Sequence, residues 1–119
     1  MLEVRDNYLT SLPVSLGELV NIQRLDLGNN GLQCFLSDMS KLESLEELLL
    51  DSTKIVEIPP SIGNLTNLTY LDLSENLLES IPEELKYCDV LSNLYMSDNK
   101  IQSLPDNIFR LPKLTRKLS

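Results

Sequence analysis

The sequence of 119 residues contains no histidine and no tryptophan, and only 5% of its residues are aromatic. Histidine is the commonest general base of enzymes and the commonest metal ligand, so its absence removes the usual centre of a catalytic or metal site. The four glycines are scattered and form no phosphate-binding loop. Neighbouring carboxylates such as Glu46 and Glu47 are explained as solvated surface. We therefore predict that the chain is not an enzyme and holds no cofactor.

Positive charge and long apolar runs are also scarce. Ten lysines and arginines stand against 18 aspartates and glutamates, and the resulting net charge of −8 argues against binding to nucleic-acid phosphates. The same charge permits a basic partner. No apolar run approaches the roughly 18 residues of a membrane span. Met1 leads directly into a repeat strand rather than into a secretory signal.

The dominant feature of the sequence is a repeat of 23 residues. The stretch from Leu68 to Val90 begins with the order L-x-x-L-x-L-x-x-N-x-L, and the same order returns on both sides of it. A period in this range with this pattern is typical of leucine-rich repeats. The equally spaced asparagine positions are Asn7, Asn30, Thr53, Asn76 and Asn99.

Each repeat is expected to begin with a short strand, because leucines such as Leu71 and Leu73 alternate with polar residues. Successive strands would form a parallel sheet, with their leucines stacked into one core. The second half of the repeat reads L-P-x-x-(I/L)-x-x-L-x-x-L, which favours a short helical or 3₁₀ segment on the outer face. One repeat has Leu36 instead of the proline, and Ser37 or Asp38 is a candidate N-cap there.

The asparagine column is expected to bond backbone groups where the chain leaves each strand. An amide carries donors and an acceptor on one stem, so it can satisfy groups of its own turn and of the next turn. Thr53 offers one donor and a shorter reach. We expect its turn to be weaker by about 1 kcal/mol.

The two cysteines are predicted to be free thiols. Cys88 stands where other repeats have a leucine such as Leu42, which indicates a buried hydrophobe. Cys34 lies two repeats earlier, so strand spacing alone separates the pair by about 10 Å, beyond the roughly 7 Å that a disulfide allows. This favours a reducing compartment. The glycosylation sequons at Asn64 and Asn67 favour the opposite, unless the letters NLTNLT only follow from the repeat.

The spacing of proline and isoleucine in this 23-residue unit resembles the intracellular, Ras-adaptor-like class of leucine-rich repeats. Four stretches resemble the repeat region of the LAP proteins, the leucine-rich repeat and PDZ scaffolds such as scribble, erbin and densin. These stretches are LEVRDNYLTSLP, LVNIQRLDLGNN, IGNLTNLTYLDLSEN and SLPDNIFRLPKL. The resemblance covers Leu2 to Leu114 and departs from the family at Leu36, at Thr53 and in the absence of a PDZ domain.

This resemblance implies an α/β fold, a right-handed leucine-rich repeat solenoid. Its parallel sheet would form the concave face, and short helical or 3₁₀ segments would form the convex face. The resemblance also implies a cytoplasmic signalling scaffold or adaptor of cell polarity or junctions, placed at the inner face of the plasma membrane or at cell junctions. We expect the chain to be a monomer. Residues 1–119 would form one domain of about five repeats without clear caps, and we expect it to be a piece of a longer array.

The strand residues that point away from the core are predicted to line the concave face. They include eight acidic and two basic residues, so this face carries −6 of the net charge of −8. A concave surface of one sign steers a ligand of opposite charge. The alternative is that these acids only keep an exposed sheet soluble.

Leu49, Tyr70 and Tyr95 lie on three adjacent predicted strands and surround Asp72. None of the three is needed to fill the core, and aromatic anchors inside a polar rim are typical of interface centres. We predict that this cluster is the contact centre for a basic or amphipathic segment of a partner protein. The predicted partner-binding residues are Arg24, Asp26, Glu47, Leu49, Asp51, Tyr70, Asp72, Glu75, Asn93, Tyr95 and Asp98.

Two other functions fit the same pattern. The chain could be the regulatory repeat region of a larger enzyme, such as a receptor kinase or a ubiquitin ligase, or it could be an extracellular recognition array. A kinase or ligase domain in the full-length reading frame would indicate the first, and PDZ domains would indicate the scaffold. Glycan at Asn64 or Asn67 would indicate the extracellular array.

Overall fold

Short strands form one parallel sheet in chain order. A computed structural model describes residues 2–3, 5, 16, 18–33, 35, 38–102, 105, 111–112 and 114, and the backbone of 116–118. Paired residues in neighbouring strands lie 23 positions apart, as Leu25, Leu48 and Leu71 do. The predicted parallel sheet with one strand per repeat is therefore confirmed. The strands are β1 (Leu2–Glu3), β2 (Arg24–Asp26), β3 (Glu47–Leu49), β4 (Tyr70–Asp72), β5 (Asn93–Tyr95) and β6 (Arg116–Leu118).

The apolar side chains stack into one core behind the sheet. The central leucines of four successive strands are fully buried, and so is Cys88, as its position in the repeat predicts. Burial raises the pKa of the Cys88 thiol to about 12, so it stays protonated and unreactive at neutral pH. Cys34 lies outside the described residues. Leu19, which the repeat places in the same column as Cys88, is 40% exposed because it lies on an end turn of the coil.

The asparagine column joins each turn to the turn before it. Asn76 Nδ2 donates to the carbonyl of Leu73 in its own turn (3.1 Å) and to that of Leu50 in the preceding turn (2.8 Å). Its Oδ1 accepts a hydrogen bond from the N–H of Ile55 (3.1 Å). Asn99 makes the same set of bonds one repeat later. These side chains therefore satisfy backbone groups at the point where the chain turns away from the sheet.

Thr53 occupies the same column with fewer bonds. Its Oγ1 donates to Leu50 O at 3.1 Å and also contacts Asn76 Oδ1. Within the described residues it makes no side-chain bond to the preceding turn. Asn30 Nδ2 donates to Leu27 O at 3.0 Å, whereas Asn7 lies outside the described residues.

Within the part of the chain that the structure describes, two repeats carry the predicted 3₁₀ helix on the convex side. These helices span Pro60–Asn64 and Glu83–Tyr87. Each begins after a proline in extended conformation, with φ of −68° at Pro59 and −69° at Pro82. Proline lacks an N–H and fixes φ, so it stands where the extended chain ends and the helix starts.

The helix N-cap predicted at Ser37 or Asp38 is not found at Asp38. Residues 38–45 form turns without a helix. Asp38 Oδ1 accepts hydrogen bonds from the N–H of Ser40 (2.9 Å) and from its hydroxyl (2.6 Å), which closes a local turn instead of capping a helix. These two bonds lower the pKa of Asp38. Ser37 lies outside the described residues.

Candidate binding surface

The outward-facing strand residues form a grid on the concave side. Along a strand they lie two positions apart, and across strands the register aligns each with its equivalent 23 residues away. Leu49 is therefore aligned with Asp72, and Asp72 with Tyr95. In the neighbouring column, Tyr70 lies between Glu47 and Asn93.

An arginine covers the N-terminal end of this grid. Arg5 Nε lies 3.0 Å from both carboxylate oxygens of Asp26, and Arg5 Nη2 forms an ion pair with Asp51. Gly28 leaves space for the guanidinium, because a Cβ at this position would lie 2.1 Å from Arg5 Nη2. The hydrogen bond to Asp26 is the largest of the causes that raise the pKa of Arg5. We call Arg5, Asp26, Gly28 and Asp51 the arginine cluster.

Asp26 is consequently a buried part of the fold. It is only 2% exposed, and its Oδ1 also accepts a hydrogen bond from the N–H of Gly28 (3.1 Å). Strand alternation places Asp26 outward, as the sequence predicts, but Arg5 lies over it. This burial removes Asp26 from the surface that a partner can touch.

The second basic residue of the face lies beside acids as well. The guanidinium of Arg24 is 3.8 Å from Asp26 and 3.6 Å from Glu47. Its buried Nε has no hydrogen-bond partner among the described residues. The two arginines therefore offset the charges of Asp26, Glu47 and Asp51. Asp51 is half-buried, and the side chain of Glu47 is 43% exposed.

Two tyrosines meet on the half of the face formed by β4 and β5. The ring centroids of Tyr70 and Tyr95 lie 5.4 Å apart with their planes inclined at 47°. Burial, followed by the nearby Tyr95 and Asp72, raises the pKa of Tyr70, so its hydroxyl stays neutral. Leu49 and Asp72 lie beside the rings in the register of the sheet. We call Leu49, Tyr70, Asp72 and Tyr95 the tyrosine patch.

Around the tyrosine patch, no acid forms an ion pair with a described side chain. Among the described residues no ion pair involves Asp72, Glu75 or Asp98. Glu75 and Asp98 are exposed, and Glu75 Oε2 accepts a hydrogen bond from the hydroxyl of Ser52 (3.0 Å). Within the described residues, Asp72, Glu75 and Asp98 thus keep negative charge that no ion pair offsets, on the half of the face formed by β4 and β5.

The predicted binding residues therefore fall into two groups. Arg24, Glu47 and Asp51 stand with the buried Asp26 at the charge-paired end. The remaining seven are the four residues of the tyrosine patch and, around it, Glu75, Asn93 and Asp98. The sequence prediction missed the role of Arg5. The signal was present, because Arg5 lies one repeat before Gly28 in the same column, but a pattern does not show which acid an arginine reaches.

Within the described residues, no three His, Cys, Asp or Glu side chains gather in a way that could hold a metal ion. In the same part of the chain no helix has the length and apolar character to cross a membrane.

Comparison with known proteins identifies the family that this pattern resembles. Residues 43–101 match the family model described as Leucine rich repeat. The leucine-rich repeat protein LIC12759 of Leptospira interrogans is similar over 95% of this chain, with a TM-score of 0.87 and 30% sequence identity. The plant peptide hormone receptor RGFR1, in complex with RGF2, is similar over 95% of this chain, with a TM-score of 0.83 and 35% identity.

A third solved structure agrees in fold alone. It is the leucine-rich repeat domain of the type III effector XopL, similar over 98% of this chain with a TM-score of 0.89 and 23% identity. The chain spans 30% of the length of LIC12759, 43% of the XopL domain and 19% of RGFR1. No curated protein matches the sequence.

Proposed function

We propose that this chain, which has the leucine-rich repeat fold, holds an extended basic or amphipathic segment of a partner protein on its concave face. Leucine-rich repeats are typical protein-interaction modules, since their curved sheets present extended concave surfaces. The observation that carries the proposal is the tyrosine patch with its uncompensated acids. Two aromatic side chains are held outside a core that Leu71 and Leu94 already fill, beside a carboxylate that no cation in the described chain offsets.

The likeness to RGFR1 supports a peptide as the ligand. That receptor is a peptide hormone receptor in complex with RGF2, and 35% of the aligned residues are identical. An extended peptide laid across β3, β4 and β5 would meet Leu49, Tyr70 and Tyr95 in turn. Its basic side chains would face Asp72, Glu75 and Asp98.

The cellular role that we favour is an intracellular scaffold or adaptor of the LAP type, in the cytoplasm at the inner face of the plasma membrane or at cell junctions. The support for it is the 23-residue unit with its L-P-x-x-I-x-x-L-x-x-L half and the stretches that resemble LAP repeats. We propose that the module acts as a monomer and without catalysis. The cluster of carboxylates on the face disfavours nucleic acid as its partner.

A second candidate is the repeat region of a receptor. The likeness to RGFR1 favours it, because that protein is a receptor of which this chain spans 19%. In that case the same surface would bind an extracellular peptide. PDZ domains in the full-length reading frame would favour the scaffold, and a kinase domain would favour the receptor.

A random 12-residue peptide library displayed on phage tests the binding proposal. Selection on the isolated chain should enrich peptides that combine arginine or lysine with apolar residues. Binding should weaken as salt rises from 0.05 M to 0.5 M, because exposed charge pairs are screened. The double variant Tyr70→Ala/Tyr95→Ala should weaken the selected peptides by about tenfold or more with little change in Tm.

Tyr87→Ala is the matched control, because Tyr87 is 53% exposed and belongs to the convex Glu83–Tyr87 helix. It should leave peptide affinity unchanged. Equal affinity for the wild-type chain and the concave double variant would overturn the proposal. A large fall in Tm for that double variant would instead show that the two tyrosines serve the fold.

A further inference from the structure

Two aspartates occupy equivalent places in the coil, two repeats apart. Asp26 and Asp72 each end a strand, and each Oδ1 accepts a hydrogen bond from the N–H two residues later. The donors are Gly28 N at 3.1 Å and Ser74 N at 3.0 Å. The sheet therefore holds both carboxylates in the same way against the backbone.

At the first of these carboxylates the chain supplies its own ligand. The Arg5 guanidinium lies 3.0 Å from both oxygens of Asp26 and reaches Asp51 with its other end. Arg5 stands 21 residues before Asp26, on the preceding turn. This contact shows how the concave sheet receives a guanidinium group.

At the second carboxylate none of the described side chains supplies a cation. The residue 21 positions before Asp72 is Asp51, which carries the opposite charge to Arg5. The bonds that Asp72 accepts come from the N–H and the hydroxyl of Ser74, and both are made to Oδ1. Among the described residues, Oδ2 of Asp72 accepts no hydrogen bond.

Aromatic rings stand beside this second carboxylate, where the first has Arg24 on its own strand and Leu49 on the next. Tyr70 lies two residues before Asp72 on the same strand, and Tyr95 is aligned with Asp72 on the next strand. Their ring centroids lie 5.4 Å apart. An arginine stacks on aromatic faces and binds carboxylates through its planar fork, whereas lysine offers only a compact point charge.

We propose that Asp72, Tyr70 and Tyr95 form a subsite for one arginine side chain of the partner, equivalent to the contact that Arg5 makes with Asp26. This inference rests on the proposed peptide-binding function and names the residue that anchors the peptide. Ser74 stands where the first site has Gly28, and Gly28 has no room for a Cβ beneath Arg5. The partner's guanidinium therefore approaches Asp72 from the tyrosine side, away from Ser74.

The test uses a peptide selected on the isolated chain and three synthetic series derived from it. Each series replaces one arginine at a time, the first with lysine, the second with citrulline and the third with alanine. Citrulline keeps the shape of arginine and removes its charge, so one citrulline replacement should weaken binding about tenfold or more, and lysine should weaken it less. Amide NMR shifts of Asp72, Ser74 and Tyr95 should move with the arginine peptide and stay near their free values with that citrulline version.

Asp72→Asn and Asp98→Asn form the matched pair of protein variants, since each removes one negative charge from the same face. In the Asp72→Asn variant the side-chain amide oxygen would still accept the N–H of Ser74, so the strand end keeps its bond. Asp72→Asn should weaken the peptide about tenfold or more, and Asp98→Asn less than about threefold. Tyr95→Phe keeps the ring and should retain most of the affinity.

The two proposals fail in distinguishable ways. If the tyrosine double variant loses the peptide while every citrulline version binds as tightly as arginine, the binding face stands and the arginine subsite is overturned. Equal effects of Asp72→Asn and Asp98→Asn would also overturn it, because they would show a diffuse charge effect. If the tyrosine variant keeps full affinity, the proposed function itself fails.

Discussion

Thr53 is the residue of the described asparagine column that carries a single donor proton. Two acceptors, Leu50 O and Asn76 Oδ1, lie around its hydroxyl, so only one of them can receive the proton at a time. An asparagine has two donor protons and an acceptor, and Asn76 uses them to bond the preceding turn as well as its own. The hydrogen bonding of the column is therefore weakest at Thr53.

Thr53→Asn should stabilise the chain by about 1–2 kcal/mol, because an amide at this position would reach Leu27 O and the N–H of Leu32 as Asn76 reaches its equivalents. Urea unfolding followed by circular dichroism measures the change. Thr53→Val keeps the branched shape but removes the hydroxyl, and it should destabilise. If both variants lowered stability, the site would have no room for the amide, and an asparagine would not strengthen the column there.

The residue scale also shows what the sequence could and could not predict. The asparagine column was predictable, because an amide repeated every 23 residues at a strand exit has one physical use. The outward direction of Asp26 was predictable from strand alternation. Its burial was not, because it depends on Arg5 lying over Gly28, a contact between residues on different turns.

At the scale of elements, the convex segments of successive repeats differ in secondary structure although they occupy equivalent positions in the repeat. Proline precedes the Pro60–Asn64 and Glu83–Tyr87 helices, whereas Leu36 stands at the equivalent place before residues 38–45. Without the fixed φ of proline, the side chain of Asp38 closes a turn with Ser40 and no helix forms in 38–45. The presence of the two helices was predictable, but the outcome of this local competition was not.

A left-handed residue before each asparagine position is a further repeated element that the sequence did not reveal. Left-handed backbone favours glycine and asparagine, yet this position holds serine and two acids in three of the four described turns. The turn geometry of the coil requires this conformation whatever the side chain. These residues, with φ of 54°, 57°, 56° and 59°, are Asn29, Ser52, Glu75 and Asp98.

The two 3₁₀ helices pack closely at Gly63. A Cβ there would lie 3.0 Å from the backbone oxygen of Glu84 and 3.1 Å from Cδ2 of Tyr87. Gly63→Ala should therefore push the helices apart and destabilise the chain by about 1–2 kcal/mol, measured as a lower urea midpoint. Thr66→Ala, at an exposed turn position, should change stability by less than about 0.5 kcal/mol. An unchanged midpoint for Gly63→Ala would mean that the Glu83–Tyr87 helix moves aside freely.

At the scale of the whole molecule, the coil is a one-dimensional array in which each turn contacts its neighbours. Strand register accordingly joins residues 23 positions apart, and many side-chain hydrogen bonds join residues 21–26 positions apart. The period alone predicts this order, which is why the sheet and core followed from the sequence. The bond from Arg5 to Asp51 spans 46 positions and ties the first strand to the third. A repeat period does not predict such a contact.

Arg5→Met should therefore loosen one end of the array more than the other. The buried Asp26 carboxylate would lose its strongest partner, which we expect to cost about 1–3 kcal/mol because the arginine side chain is itself 30% exposed. Amide hydrogen exchange reports where stability is lost. Exchange should accelerate at Leu25 and Leu27 and change little at Leu71 and Leu94.

Two controls separate this coupling from a general charge effect. Asp26→Asn in the Arg5→Met background removes the uncompensated buried charge while keeping an acceptor for the N–H of Gly28, so it should restore part of the lost stability. Lys41→Met removes an exposed ion pair with Glu18, 3.9 Å long, and should change stability by less than about 0.5 kcal/mol. Exchange that accelerated equally in all strands after Arg5→Met would show that the array unfolds as one unit. The contact between Arg5 and Asp51 would then not stabilise the first strands more than the others.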